Sequence, residues 1–145
     1  MREVVRSALV GHSAERLYEL INDVERYPEF LPWCTRAEVE SRTEREVVAT
    51  LSISRGPLRT AFTTRNVLTP STGIHMQLER GPFTTLEGDW TLTPIGAAGC
   101  RVTLTLRFEF SNRLTAALVE PVFEQTAGSL VDAFVARARS VYGSA

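Results

Sequence analysis

The histidines and cysteines are the side chains best suited to metal or nucleophilic chemistry, and their spacing supports neither. His12 and His75 have no second histidine, cysteine or carboxylate at the spacing of zinc ligands. Cys34 and Cys100 are far apart and form neither a CxxC motif nor a disulfide framework. The sequence therefore predicts no metal site and two free thiols.

Acidic residues and nucleophiles form no catalytic set either. The pairs Glu38/Glu40 and Glu87/Asp89 fall on strand positions that the alternation assigns to solvent, whereas acid/base work needs a carboxylate in a buried or strongly charged environment. The chain has no Gly-rich phosphate loop, no GxSxG motif and no Ser, His and Asp set that the sequence order singles out. We expect no catalytic residues and predict that the protein is not an enzyme.

A row of polar residues on one predicted strand is the exception. Thr60, Thr64 and Asn66 share a face with Leu58 and Phe62, and that face is predicted to point inward. Buried hydroxyls and amides need partners. Either these groups bond to local backbone or water, or they face a cavity that holds something polar.

The elements around this row form a sheet and a helix. Strict alternation from Cys100 to Ser111 predicts an antiparallel strand with one dry face. Apolar residues of the segment 112–142 follow helical spacing, and such a helix can cover the sheet. We expect Pro121 to kink or break that helix near Glu120. The helix then either closes the core only, or its first part roofs a cavity with Leu114, Leu118, Val119, Val122 and Phe123.

The remaining elements complete an α+β domain. A first strand over Arg2 to Val10 is followed by a short helix capped by Ser13 and by a short turn that Asp23 caps and Pro28 ends. Alternation then predicts strands in the segments 37–40, 47–54, 58–66, 74–79, 86–92 and 100–111. The sequence thus predicts seven strands, two small helices and one long C-terminal helix within a single domain, residues 1–145.

Composition limits the partners and the compartment. The net charge is −1, and all 16 basic residues are arginines. This balance argues against broad, non-specific binding to nucleic acid, although a local arginine patch that includes Arg55, Arg59 and Arg65 could still contact RNA. No apolar run approaches the roughly 20 residues of a membrane span. We expect a cytoplasmic protein that touches the inner membrane at most peripherally.

Two apolar segments suggest a mouth for a cavity. Phe30 to Trp33 and Gly81 to Phe83 are loops too apolar to be ordinary surface turns. A concave apolar cavity with a few polar groups is how proteins hold small hydrophobic ligands. The same residues could simply fill the core, and the sequence leaves both interpretations open.

Motifs along the whole chain match those of a known family. The most specific motif is Tyr27 to Cys34, and the other segments are Ala8 to Val10, Ser13 to Glu15, Asn22 to Val24, Phe62 to Asn66, Gly81 to Phe83, Leu86 to Trp90, Phe108 to Phe110 and Ala133 to Ala138. Through these segments the chain resembles the coenzyme Q-binding START-like family, which has the helix-grip fold of the polyketide cyclase and lipid-transport (SRPBCC) superfamily. The match is best with the bacterial branch named for a ribosome-association toxin. The resemblance implies a curved seven-stranded antiparallel sheet with a long C-terminal helix over a cavity.

The resemblance implies two functions and admits a third. Quinone-branch members bind ubiquinone in support of respiration, without catalysis and with no required cofactor, and this carrier function is our leading hypothesis. Toxin-branch members bind the large ribosomal subunit and block subunit joining, which is the alternative. An aromatic polyketide cyclase or dehydrase is the weakest hypothesis, since it needs an acid/base set.

The expected ligand-binding residues line the predicted cavity. A quinone ring or similar isoprenoid lipid would lie near Trp33 and Trp90, with its tail between sheet and helix. We expect Phe123→Ala to weaken ligand retention more than the fold. The predicted site comprises Phe30, Leu31, Trp33, Phe62, Thr64, Phe83, Leu86, Trp90, Leu106, Phe108, Leu118, Val122, Phe123, Leu130 and Phe134.

Overall fold

A curved sheet of seven antiparallel strands forms the body of the molecule, in a computed structural model that describes residues 1–143. The strands pair in the order β1-β7-β6-β5-β4-β3-β2, so that β1 and β2 are the edges. Their bounds are β1 Arg2–Val10, β2 Cys34–Arg42, β3 Glu46–Arg55, β4 Leu58–Thr69, β5 Gly73–Arg80, β6 Phe83–Ile95 and β7 Gly99–Phe110. The predicted seven strands are confirmed.

One face of this sheet is dry, as the alternation predicts. In β7 every second residue from Cys100 to Phe110 is buried, and the residues between them are exposed or half-buried. Gly88 in β6 lies where the backbone of β7 comes close, because a Cβ at this position would lie 2.6 Å from the Thr105 carbonyl oxygen. A sheet with one apolar face needs a cover, and the helices supply it.

Two short helices follow β1. Helix α1, Ala14–Asn22, begins at Ser13, whose side-chain oxygen accepts a hydrogen bond from the Arg16 amide at 3.2 Å. A 3₁₀ helix, Val24–Glu29, comes next. The Asp23 side chain makes no capping hydrogen bond there, and Pro28 lies inside the 3₁₀ helix. The N-cap prediction for Ser13 is confirmed, and the predicted capping by Asp23 is wrong.

The C-terminal segment forms two helices, α2 Arg113–Gly128 and α3 Leu130–Tyr142. The break therefore falls at Ser129, and the predicted break near Glu120 is wrong. The Ser129 amide and hydroxyl both donate to the Thr126 carbonyl oxygen, at 3.2 and 2.7 Å, which tightens the last turn and ends α2. At Gly128 the Arg6 guanidinium packs close against the backbone, where a Cβ would lie 3.2 Å from its nearest nitrogen.

Pro121 sits inside α2 without ending it. The proline lacks the amide that would bond to the Ala117 carbonyl four residues earlier. Pro121 and Ala117 are both exposed, so water can satisfy that carbonyl. A proline on the solvent side of a helix is tolerated where the freed carbonyl stays hydrated.

Phe123 fastens α2 to the sheet. Its ring centroid lies 4.7 Å from that of Phe108, 5.3 Å from Phe83 and 5.6 Å from Phe110, and it also meets Phe62 at 6.0 Å. These pairs have the edge-to-face geometry that aromatic quadrupoles favour. The five rings form one buried cluster that joins α2 to strands β4, β6 and β7.

Glu120 fixes the same helix by polar contacts. Its carboxylate accepts a hydrogen bond from the Phe110 amide at 2.9 Å and lies 3.3 Å from Arg113 and 3.5 Å from Arg2. Burial by itself would raise the pKa of Glu120, but the Phe110 amide and the two guanidinium groups outweigh burial and lower the pKa below its usual value.

We expect Phe123→Ala to lower the free energy of unfolding by about 3 to 5 kcal/mol, because it removes the centre of the five-ring cluster and leaves a cavity. This corrects the expectation from sequence that the change would affect ligand retention more than the fold. The matched control is Leu118→Ala on the same helix, where the side chain is 61% exposed and the change should be about 0.5 kcal/mol or less. Urea unfolding measures both. Equal losses in the two variants would contradict this role of Phe123.

The lowered pKa of Glu120 makes its contribution depend on pH. A carboxylate whose folded pKa is depressed stabilises the fold above the unfolded pKa, and this stabilisation is lost as the pH falls through the folded pKa. Glu120→Gln should cost roughly 1 to 2 kcal/mol at pH 7, with a smaller difference below about pH 4. The control is Glu124→Gln, one turn later, where the side chain is 42% exposed and pairs with Arg2 at 3.3 Å. If Glu120→Gln lowers the free energy of unfolding by the same amount at every pH, the stabilisation does not come from the charge of Glu120.

Candidate functional site: a cavity between sheet and helices

A cavity lies between the inner face of the sheet and the helices. The space between them amounts to about 810 Å³ when the open solvent at its mouth is included. It is lined by Val24, Tyr27, Leu31, Trp33, Ala49, Leu51, Ile53, Phe62, Thr64, Asn66, Met76, Leu86, Trp90, Leu104, Leu106, Phe123, Thr126, Ala127, Leu130 and Phe134. The lining is mostly apolar and comes from five strands, both C-terminal helices and the segment between α1 and β2.

Aromatic side chains build one wall. Phe134 from α3 packs edge-to-face on Trp90 of β6 and on Tyr27, with centroids 5.3 and 5.4 Å apart. Tyr27 is buried, its hydroxyl donates to the Ile21 carbonyl, and burial raises its pKa far above the ordinary tyrosine value. Tyr27 therefore stays protonated and serves as a fixed wall.

A polar pair interrupts the apolar lining. Thr64 and Asn66 are two residues apart on β4, so both point inward, and the Thr64 hydroxyl donates to the Asn66 side-chain oxygen at 2.8 Å. Both residues line the cavity. This arrangement combines the two alternatives predicted for them, since they bond locally and also face the cavity.

A second polar group stands on the helix side. The Thr126 hydroxyl donates to the Val122 carbonyl at 2.7 Å and accepts a hydrogen bond from Arg55 at 3.1 Å. Thr126 is 1% exposed, and Arg55 reaches it from the end of β3. The guanidinium thus contacts the helix side of the cavity wall from the end of β3.

Ten of the fifteen predicted site residues line the cavity. They are Leu31, Trp33, Phe62, Thr64, Leu86, Trp90, Leu106, Phe123, Leu130 and Phe134. That these residues bind a ligand stays a prediction.

The other five lie elsewhere. Phe83 and Phe108 belong to the buried ring cluster behind Phe123, and Phe30 packs on Tyr27 and Phe134 beneath the Arg137 guanidinium. The expected positions of Leu118 and Val122 need correction. Leu118 is 61% exposed because it lies on the solvent side of α2, and Val122 is half-buried beside the ring cluster, outside the cavity lining.

Ten lining residues were not among the predicted site residues. They are Val24, Tyr27, Ala49, Leu51, Ile53, Asn66, Met76, Leu104, Thr126 and Ala127. Ala49, Leu51 and Ile53 could have been found from the inward alternation of β3. Thr126 and Ala127 depend on where the helix rests, which no sequence pattern specifies.

The outer surface is rich in paired charges. Nine arginines contact carboxylates, and Arg65 is held between Glu46 and Glu79. Within residues 1–143 no group of three or more His, Cys, Asp or Glu side chains is arranged to hold a metal ion. None of the helices described in that range is long and apolar enough to cross a membrane.

This geometry defines the fold class of the protein. A curved antiparallel sheet that grips a C-terminal helix over a cavity is the START-like, or helix-grip, fold. A crystal structure of a Thermus thermophilus protein shares it with a TM-score of 0.84 at 21% identity, covering 96% of this chain and 98% of that one. An aromatase/cyclase of Streptomyces sp. R1128 shares it with a TM-score of 0.82 at 20% identity, covering 99% of each. At these identities the likeness shows the fold alone.

The sequence assigns the family. Residues 10–135 match the model of the family described as polyketide cyclase / dehydrase and lipid transport, and the chain belongs to that family. It is 46% identical over 97% of both chains to a protein of Pseudomonas aeruginosa named ribosome association toxin RatA. It is 28% identical, over 97% of this chain and 59% of the other, to the coenzyme Q-binding protein COQ10 homolog B of Xenopus laevis. The suspected resemblance is confirmed.

Filling the cavity should abolish apolar ligand binding without unfolding the protein. Ala49→Leu adds three carbons to a buried lining position, where empty space can accept them. Trp33 and Trp90, the two tryptophans of the chain, both line the cavity, so decylubiquinone should quench their fluorescence in the wild type.

We expect Ala49→Leu to lose that saturable quenching while its free energy of unfolding changes by about 1 kcal/mol. The control is Ala61→Leu, an exposed position on the neighbouring strand β4. Unchanged quenching in Ala49→Leu would show that decylubiquinone does not enter this cavity.

Proposed function

We propose that this protein acts by associating with the ribosome, and that its target is the large subunit. The observation that carries the proposal is the similarity, over almost the whole chain, to a protein named as a ribosome association toxin. The coenzyme Q-binding relative is more distant and much longer than the part matched. These relatives favour the ribosome alternative over the quinone carrier, which reverses the order expected from the sequence.

Free arginines offer a surface for ribosomal RNA. Among residues 1–143, Arg6, Arg16, Arg45, Arg55, Arg59, Arg101 and Arg139 make no ion pair with a carboxylate. An unpaired guanidinium can contact a phosphate without first breaking an ion pair. Arg65, expected to be part of the patch, is occupied by Glu46 and Glu79.

Three of these arginines lie at one end of the molecule. Arg16 stacks over the Tyr142 ring at 4.9 Å, which joins the start of α1 to the end of α3, where Arg139 lies. Arg101 pairs with Leu9 at the end of β1, just before the turn into α1. The proposed RNA contact surface is therefore the end formed by Arg16, Arg101 and Arg139.

A second candidate function is the non-catalytic binding of an apolar ligand, with ubiquinone or a similar isoprenoid lipid as the starting candidates. The cavity favours it, because its lining is apolar and carries only a few polar groups, as small-molecule sites do. The distant coenzyme Q-binding relative supports the same function. No catalytic group is assigned in this proposal.

Replacing free arginines should weaken ribosome association. We expect the double variant Arg101→Gln, Arg139→Gln to co-sediment less with large subunits, with a shallower dependence on salt than the wild type, since each lost phosphate contact reduces the slope. The control is Arg107→Gln, on the same strand and face as Arg101 but paired with Glu87 at 2.7 Å. Wild-type protein that does not sediment with ribosomes at any salt concentration would refute the proposed function.

A further inference from the structure

We infer that the cavity ligand is an amphiphile with an anionic head group, received at the cavity rim by Arg55 and Thr60. This inference rests on the second candidate function, the cavity as a binding site. It changes the expected ligand class, because a quinone ring is neutral.

Arg55 continues the row of side chains that forms one cavity wall. Ala49, Leu51 and Ile53 are alternate residues of β3 and all line the cavity. Side chains two residues apart on a strand share a face, so Arg55 occupies the next inward position, at the end of the strand. A row of apolar residues that ends in a cation matches an apolar tail that ends in an anion.

The charge of Arg55 has no counter-charge in the structure. The Arg55 side chain donates a hydrogen bond to the Thr126 hydroxyl, a neutral partner, at 3.1 Å. No carboxylate within residues 1–143 forms an ion pair with Arg55. Thr126 itself lines the cavity, so the guanidinium contacts a residue of the cavity wall. Arg55 is half-buried, and most of its five donors remain available to a carboxylate or phosphate.

Thr60 supplies an independent observation. Its hydroxyl is buried and has no hydrogen-bond partner within residues 1–143. Thr60 pairs with Ile53, and Arg55 pairs with Leu58, so Thr60 and Arg55 are diagonal neighbours across β3 and β4. Diagonal side chains on one face lie about 7 to 8 Å apart, within reach of a long arginine. An unsatisfied donor beside an unpaired cation suits the acceptor oxygens of one head group.

The alternative role of Arg55 is to complement the negative end of α2. The last turn of α2 contains no basic residue, so a cation from elsewhere would stabilise it. Arg55, however, donates to a side-chain hydroxyl within the last turns, and Arg6 already lies against Gly128 at the helix end. The helix-end role also leaves the buried Thr60 hydroxyl without explanation.

Three probes with the same twelve-carbon chain test the head group. Purified full-length protein is titrated with laurate, dodecyl phosphate and dodecanol, and binding is followed by tryptophan fluorescence or calorimetry. We expect laurate, dodecyl phosphate or both to bind about tenfold more tightly than dodecanol, because a hydrogen bond to a charged group adds roughly that factor. The tighter of the two anions distinguishes a fatty-acid carboxylate from a lipid phosphate.

Two variants and one control test whether Arg55 and Thr60 bind the anionic head group. Arg55→Met should bind the preferred anion about tenfold more weakly and leave dodecanol unchanged. Thr60→Val should also weaken binding of the anion. It should not lower the melting temperature, because it removes an unsatisfied hydroxyl. Arg59→Met makes the same charge change on the outward face of β4 and should alter neither affinity.

The outcomes separate this inference from the cavity function it rests on. If no amphiphile binds, both are overturned. Should dodecanol bind as tightly as the anions, or should Arg55→Met bind the anion like the wild type, the cavity function stands and the anionic head group is overturned. If Arg55→Met weakens the binding of the anion and of dodecanol equally, Arg55 serves to pack α2, and the inference of an anionic head group is also overturned.

Discussion

The architecture depends on how α2 is seated on the dry face of the sheet. Phe123 enters a cluster with Phe62, Phe83, Phe108 and Phe110, and Glu120 is held by the Phe110 amide and two guanidinium groups. The aromatic contacts bury apolar surface, and the polar contacts fix the helix position along β7. Together they hold α2 at one end of the sheet, while α3 packs on Trp90 and Tyr27 at the other through Phe134. The space left between these two contact regions is the cavity.

The interior and the surface of the molecule differ in their polar groups. Polar groups are few in the cavity lining, where Thr64 and Asn66 bond to each other and Thr126 bonds to backbone. Outside, nine arginines are paired with carboxylates of the described range 1–143 and seven are not, and three of these seven lie at the α1 end. An apolar interior suits a lipid, and free guanidinium groups suit RNA phosphates. The two proposed functions therefore use different parts of the molecule.

Much of the fold follows from local sequence patterns, and the failures have physical causes. Alternation within the strands indicates which residues face inward, so the seven strands were predicted correctly, and ten of the fifteen expected residues line the cavity. Alternation does not indicate whether an inward residue lines a cavity or packs in the core. Leu106, which lines the cavity, and Phe108, which packs against Phe123, therefore look alike in the sequence. Pro121 was expected to break the helix because local propensity counts the lost hydrogen bond but not the hydration of an exposed carbonyl. The real break at Ser129 lies where Arg6 from β1 meets Gly128, a contact between residues far apart in the chain.

The central claim is that ribosome association uses the outer surface and does not need the cavity. The most direct test is to sediment lysates that contain either the wild type or the cavity-filled Ala49→Leu variant, and to measure how much of each migrates with the large ribosomal subunit. The account predicts equal amounts, because Ala49 is buried on the inner face of β3, whereas the free arginines of the α1 end are exposed. A folded Ala49→Leu variant that no longer migrates with the large subunit would contradict it, and would mean that an occupied cavity is required for binding to the ribosome.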